Sequence, residues 1–508
     1  MAMPSISCCW ATTIPDTRSR IWQFKCVYHF LRSNTKTNAF ASQRHLGMPI
    51  RKLPSELIAA IFLLCLPRSP SADTPNPAHA PLLLCHVCKA WRTIARGLPF
   101  LWRQLTLHSD YFEGPRGEAE LVDIWCRNAT PFPVDLKLDL ASNSPQTIWN
   151  RIGGEDTLSL ILAPSAHRFI SLELKISSFV KFPLKVEFSL LERLSLIIQD
   201  DYPLEELPPI ATFSASPKLR SLKLSVPADI LSTKLLLPFS QITYLNLDET
   251  EAIPPNTLHS ILAASSSLEH LNATIRNPDT AHTAPLLTHA ITLDRLQSLL
   301  ITFQEKPNQT TTLFHLTFRP LNMPSLRSLS LTSYGLPGTI PLPWQEDSSP
   351  FFEYSLGNIT SLTLNRYEFT WGMMHFLRCT RAVEKLEVVL GDLGGIGLWE
   401  ALVRPGLDLL PQLARIEVVL GRAGCATWSI EVLCAMVLSR WTRLGTTGLV
   451  SNASFLHSVT SPFSNVHLRI QPHPLTDSPA SWIYSTVALI HARLGRCSVQ
   501  GMGLEVTF

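Results

Sequence analysis

Between residues 166 and 420 one short pattern, apolar-x-x-apolar-x-apolar, occurs ten times. It runs Phe169/Leu172/Leu174, Leu191/Leu194/Leu196, Leu219/Leu222/Leu224, Ile242/Leu245/Leu247 and Leu268/Leu271/Ala273. It continues as Leu296/Leu299/Ile301, Leu326/Leu329/Leu331, Ile359/Leu362/Leu364, Val383/Leu386/Val388 and Leu413/Ile416/Val418. Successive copies start 22 to 33 residues apart, about 27 on average. A single match means little in a chain with 81 leucines among 508 residues, but ten in series constrain the fold. The last two apolar positions are two residues apart, so on a strand they point to one side. One such strand cannot bury its apolar side alone, whereas parallel stacking of successive copies buries one continuous ridge.

The spacing requires each strand to return to its parallel neighbour through a crossover, and such crossovers are right-handed. Thr257–Ser265 and Gly372–Leu377 have the apolar spacing of crossover helices. The fold class is therefore α/β, a repeat array with parallel strands on one face. Residues 109–165 read as a connector with a helix over Leu121–Asn128 and a first strand in which Val134, Leu136, Leu138 and Leu140 alternate with charged residues. Residues 421–508 read as capping repeats: a helix over Ile430–Trp441, a strand at Val466/Leu468/Ile470 and a helix over Trp482–Leu494. A terminal repeat with no cap would leave its apolar edge wet.

Residues 49–108 carry a different signal. Pro54 suits a helix first turn and Glu56 the positive end of the helix dipole. Leu57, Ile58, Ile61, Phe62 and Leu64–Leu66 then cover most of a helix surface, which demands burial all round or a partner. Residues 67–81 hold five prolines and read as a flexible loop. The run Leu82–Gly97 predicts one helix with Leu84, Val87, Cys88, Trp91 and Ile94–Ala95 near one face, capped by Gly97. Leu98–Trp102 closes the unit with large apolar side chains.

LPSELIAAIF (Leu53–Phe62), VCKAWRTIA (Val87–Ala95) and LPFLW (Leu98–Trp102) together resemble the F-box. The period of the following array falls in the roughly 20–29 residue range of leucine-rich repeats, so the whole resembles the large F-box families of fungi with degenerate repeats. The F-box resemblance covers about 55 residues and the repeat resemblance about 250. Two features depart from the pattern: the proline-rich insertion at 67–81, and the missing asparagine after each repeat strand. The insertion leaves docking intact on entropic grounds, since each doubling of a loop costs about 0.6 kcal/mol. The resemblance implies that the F-box docks the adaptor subunit of an SCF-type cullin–RING ubiquitin ligase, and through it the cullin. Leu53, Pro54, Leu57, Ile61, Val87 and Trp91 are the candidate adaptor-binding residues. The repeats would hold an unidentified target protein, making the chain a substrate-recognition subunit and not an enzyme. The alternative is a ligase-independent interaction scaffold.

Along the repeat strands, the second, fourth and sixth positions after the first apolar residue alternate with the ridge and are expected to face solvent. Tyr244, Asn246, Asp248 and His270 cluster on adjacent copies and are the candidate substrate-binding residues, since aromatic and multivalent polar side chains dominate interface energetics. The same rule exposes Thr274, Thr302, Thr332 and Val419.

Composition narrows the partners. A net charge of +3, with only 16% charged residues, gives no footprint for nucleic acid or an anionic membrane. No run reaches the roughly 18 apolar residues of a membrane span. Eleven irregularly spaced cysteines do not form a disulfide framework, which points to a reducing compartment, cytoplasmic or nuclear. Residues 1–48 carry six basic residues, one acid and ten Ser or Thr. They read as a disordered extension ahead of Met48; a mitochondrial transit peptide is the alternative. Cys85-His86-Val87-Cys88 resembles half a zinc site, without a second half, and reads as core packing. Gly391–Gly397 lacks the spacing of a phosphate-binding loop and reads as a turn. No catalytic motif is present, and no cofactor or metal is expected.

Overall fold

The computed structural model describes residues 53–67, 75–108, 115–140, 157–177, 182, 186–199, 209–247, 252–276, 290–304, 310–334, 340–341, 351–365, 367–368, 371–390, 396–403, 409–420, 427–442, 465–470, 480–499 and 503–507. The readings of residues 1–48 and of most of the proline-rich loop lie outside the described residues. The chain is α/β, with twelve α-helices and a large parallel sheet among the described residues. It divides into two compact units: residues 1–219 with 234–238, and residues 220–233 with 239–508.

The first unit begins with three helices, α1 (Ser55–Leu64), α2 (Leu82–Val87) and α3 (Lys89–Arg96), followed by a 3-10 turn at Pro99–Trp102. Strand β1 (Gln104–His108), helix α4 (Pro115–Ala129), strand β2 (Val134–Asp139), helix α5 (Thr157–Leu162), strand β3 (Phe169–Ser177) and strand β4 (Arg193–Gln199) complete it. The four strands pair in parallel and in chain order. Leu105, Leu136, Leu172 and Leu194 stand in register, all buried. Indoles lock the helices to the first strand: Trp102 Nε1 donates to the Ala95 carbonyl at 2.8 Å, and Trp125 Nε1 to the Gln104 carbonyl at 2.9 Å. The two rings meet edge-on at 4.8 Å.

The second unit holds ten parallel strands: β5 (Ser221–Ser225), β6 (Tyr244–Leu247), β7 (His270–Arg276), β8 (Ser298–Gln304), β9 (Ser328–Tyr334), β10 (Ser361–Asn365), β11 (Lys385–Leu390), β12 (Arg415–Leu420), β13 (Asn465–Ile470) and β14 (Gly503–Thr507). Within this unit, from β6 on, each lies beside the strand before it. The chain between them forms α6 (Ala228–Thr233), α7 (Pro255–Ala264), α8 (Thr310–Phe318), α9 (Trp371–Cys379), α10 (Ile396–Val403), α11 (Thr427–Thr442) and α12 (Ala480–Val499).

The sequence pattern has a backbone meaning beyond the apolar ridge. From the Leu191 copy on, the first apolar residue donates its N–H to the carbonyl three residues back, as in Leu219 to Ser216, Leu326 to Met323 and Val383 to Thr380. That bond closes a turn at the mouth of each strand. Its side chain is buried as well, Leu219, Leu326 and Val383 all at 0% exposure. The next residue donates to the preceding copy, as Arg327 does to Gln297 and Glu384 to Thr360, so turn and ladder are joined. The following two apolar residues of every copy are buried.

Two expectations are corrected. The run Leu82–Gly97 is not one helix. Cys88 is extended (φ −162°, ψ 171°), which ends α2 at Val87 and restarts the chain as α3. The Cys88 Sγ accepts from the Trp91 N–H at 3.5 Å and so caps the new helix. This break changes the helical phase, so Val87 is exposed whereas Leu84, Cys85 and Ala95 are buried. The sixth-position rule also fails: Thr274, Thr302, Thr332 and Val419 are buried, with the first three side by side in register. Alternation alone assumes that the other sheet face is wet along its whole length, and at these ends it is covered.

Candidate functional site

Helix α1 is built from SELIAAIFLL, apolar on every side. Pro54, exposed, occupies its N-cap and supplies a carbonyl to the Leu57 and Ile58 N–H groups. Only one side of α1 is packed, with Ile58 and Phe62 buried. Leu57 is 52% exposed, Ile61 38%, Leu63 42% and Leu64 82%. Helix α2 repeats the asymmetry: Leu82, Leu84 and Cys85 are buried, while Leu83 and Val87 are 43% and 54% exposed. Phe100, in the 3-10 turn, is also exposed, its ring 4.3 Å from that of Phe132. A short helical unit thus carries seven large apolar side chains in water, an arrangement associated with interaction surfaces.

Of the six candidate adaptor-binding residues, Pro54, Leu57, Ile61 and Val87 are exposed. Leu53 and Trp91 are half-buried, and the Trp91 ring lies against Phe62. Sequence reasoning missed Leu63, Leu64, Leu83 and Phe100. The all-round apolar character of α1 was the available signal for Leu63 and Leu64. Nothing in the local sequence separates Leu83 from its buried neighbours, because its exposure depends on the phase of a six-residue helix.

The candidate substrate-binding residues are partly brought together. Tyr244 on β6 stands opposite His270 on β7, with ring centroids 6.3 Å apart and both side chains exposed. Asn246 pairs with Asn272 two residues further on. Asp248 lies outside the described residues. The strands of the first unit carry a charge ladder: Arg193 to Asp135 at 2.9 Å, Lys137 to Glu173 at 2.7 Å and Lys175 to Asp139 at 3.4 Å. Burial pushes the Asp139 carboxyl up, but the His108 hydrogen bond and the Lys175 ammonium outweigh it and hold the group below its usual value. In the second unit, Lys385 reaches Glu417 at 3.5 Å and Glu387 at 3.6 Å, and His467 reaches Glu417 at 3.6 Å. Pairs this exposed contribute roughly 0–1 kcal/mol each, so the ladder adds little to stability.

In the CHVC stretch, Cys85 is fully buried and its thiol is pushed up by that burial, whereas Cys88 caps α3. Arg92 Nε donates to the Cys85 carbonyl at 2.8 Å. Among the described residues no group of three or more His, Cys, Asp or Glu is arranged to hold a metal ion. Likewise, no helix among them is long and apolar enough to cross a membrane. Gly391–Gly395 lie outside the described residues, and Ile396 and Gly397 open α10. No family model matches the chain, and no curated protein matches it.

Proposed function

We propose that the chain is a non-catalytic substrate receptor of an SCF-type cullin–RING ubiquitin ligase, with residues 53–102 acting as an F-box and the repeat strands holding a target protein. The observation that carries this reading is the one-sided packing of α1 and α2. Phe62 and Leu84 are sealed inside while Leu57, Ile61, Leu64 and Val87 face water from the same short helices. Leaving a large aliphatic side chain wet forgoes about 1.5–3 kcal/mol each, which a partner's apolar surface restores. The parallel strands then offer a polar, mixed-charge face suited to a protein ligand, with Tyr244 and His270 as its aromatic element. Ubiquitin transfer would be accelerated by tethering, which raises the effective concentration of target at the ligase.

The test is co-purification of the adaptor and cullin with the full chain, comparing wild type with Leu53→Asp/Pro54→Ala and with Leu57→Asp. Adaptor recovery should fall strongly in both variants. Equal recovery by all three proteins contradicts the reading, and adaptor recovery with no ubiquitination of any partner identifies a scaffold instead.

A further inference from the structure

The first unit contains a cleft of about 350 Å³, within the range of small-molecule sites, beside the exposed apolar set, from which it takes Leu63 and Phe100. Leu66, Pro75, Phe100, Leu101 and Trp125 supply its apolar walls, and Arg103 brings a cation to the same wall. The Arg103 guanidinium lies 5.8 Å from the Phe100 ring centre and 5.9 Å from that of Phe132. These aromatic contacts hold the group in place. Its Nε is sealed from solvent without a hydrogen-bond partner, and Arg103 makes no ion pair among the described residues. The Nε is closed to a ligand as it is to water, so a ligand in the cleft would meet the rest of this half-buried side chain.

The other charged residue of the cleft, Asp135, is already engaged: its Oδ1 accepts from Arg193 Nη2 at 2.9 Å. Its backbone N–H donates to the Arg103 carbonyl at 2.7 Å, which fixes the two residues side by side. A guanidinium with no ion pair among the described residues, beside a neutralised carboxylate in apolar walls, suits a single negative charge. A dianionic phosphate would need a second cation and would sit against Asp135.

We propose that this cleft binds a small apolar monocarboxylate, of roughly a dozen non-hydrogen atoms by its volume, with the carboxylate on the Arg103 fork and the hydrocarbon against Phe100 and Trp125. A guanidinium meets a carboxylate through two parallel N–H···O bonds, a geometry that a neutral amide cannot match. The site shares Leu63 and Phe100 with the exposed apolar set and is tested without an adaptor.

The experiment titrates the full chain by calorimetry with 2-naphthoate and, separately, with the uncharged 2-naphthamide. Naphthoate should bind saturably and at least about tenfold more tightly than naphthamide. Arg103→Gln should bring the two affinities together, with its melting transition checked against wild type. Gln104→Trp, at an exposed position on the rim, should weaken both probes. Absence of saturable naphthoate binding at millimolar concentration overturns the proposal. So does equal affinity of acid and amide for wild type, or a preference that survives Arg103→Gln. If Arg103→Gln fails to fold, the acid-to-amide ratio on wild type and the Gln104→Trp result decide.

Discussion

The rings of Phe62 on α1 and Trp91 on α3 lie 4.9 Å apart and tilted by 58°, with Phe62 fully buried and Trp91 half-buried. Trp91 therefore fastens α3 to α1, and the side chains left for a partner are those that flank this contact. Trp91→Ala should destabilise the first unit by about 2–4 kcal/mol, below the full-burial range for tryptophan because part of the ring is wet. Trp91→Phe should recover most of that loss. Chemical denaturation followed by the far-ultraviolet signal measures both; an unchanged midpoint in Trp91→Ala would remove the packing role.

The strand ridge predicts a sharp alternation. Leu329, the second residue of β9, is fully buried, and Ser330 beside it points the other way. Leu329→Ala should cost about 2–5 kcal/mol, and Ser330→Ala less than about 0.5 kcal/mol. Similar losses at both positions, by thermal or urea unfolding, would contradict the face assignment.

Glu118 sits in the first turn of α4, where the helix dipole favours a negative charge, yet burial prevails and pushes its carboxyl up to about 8. Folding therefore holds a proton that the unfolded chain releases near its ordinary value of 4.5. The associated stability is fully present below pH 4.5 and is lost as the pH rises towards 8, at about 1.4 kcal/mol per pH unit. Glu118→Gln should flatten that slope and raise the melting temperature at pH 7.5. Melting curves between pH 5 and 8.5 that superimpose for wild type and variant would refute the assignment.

His259 works in the opposite direction. It is buried in α7, and its Nε2 donates to the Thr317 carbonyl of α8 at 2.9 Å. Burial lowers its proton affinity, and the Thr317 bond only partly offsets this. The neutral ring is thus favoured in the folded form, and the unfolded chain takes up a proton below 6.5 whereas the folded one does so only at lower pH. Stability should fall as the pH drops below 6.5. Proton uptake on unfolding at pH 5.5, read by calorimetry in buffers of different ionisation enthalpy, should diminish in His259→Gln.

The parallel strands were legible because leucine spacing at positions one, four and six of each copy encodes a turn, a buried residue and a second buried residue on the same side. The pattern carried no sign of the 0% exposed His259, whose environment is assembled from a helix 58 residues away. The helices α5, α6, α8 and α10 were also missed, since six to nine residues offer few turns in which periodicity can register, although the nine-residue α9 was read from its apolar spacing. Leu57, Ile61 and Val87 were legible as candidates through their resemblance to a known pattern, and Leu64 only as part of an excess of apolar surface. The break at Cys88 was not legible: Leu82–Arg96 has continuous helical composition, and only tertiary packing decides that one residue within it is extended.

Direct titration of purified adaptor onto the full chain tests the docking face most directly. Leu57→Asp and Val87→Asp alter side chains that are half or more in water, so their melting temperatures should match wild type. Their affinity for the adaptor should fall at least about tenfold, as for a charge placed in an apolar interface. Wild-type affinity in both correctly folded variants would contradict adaptor docking through α1 and α2.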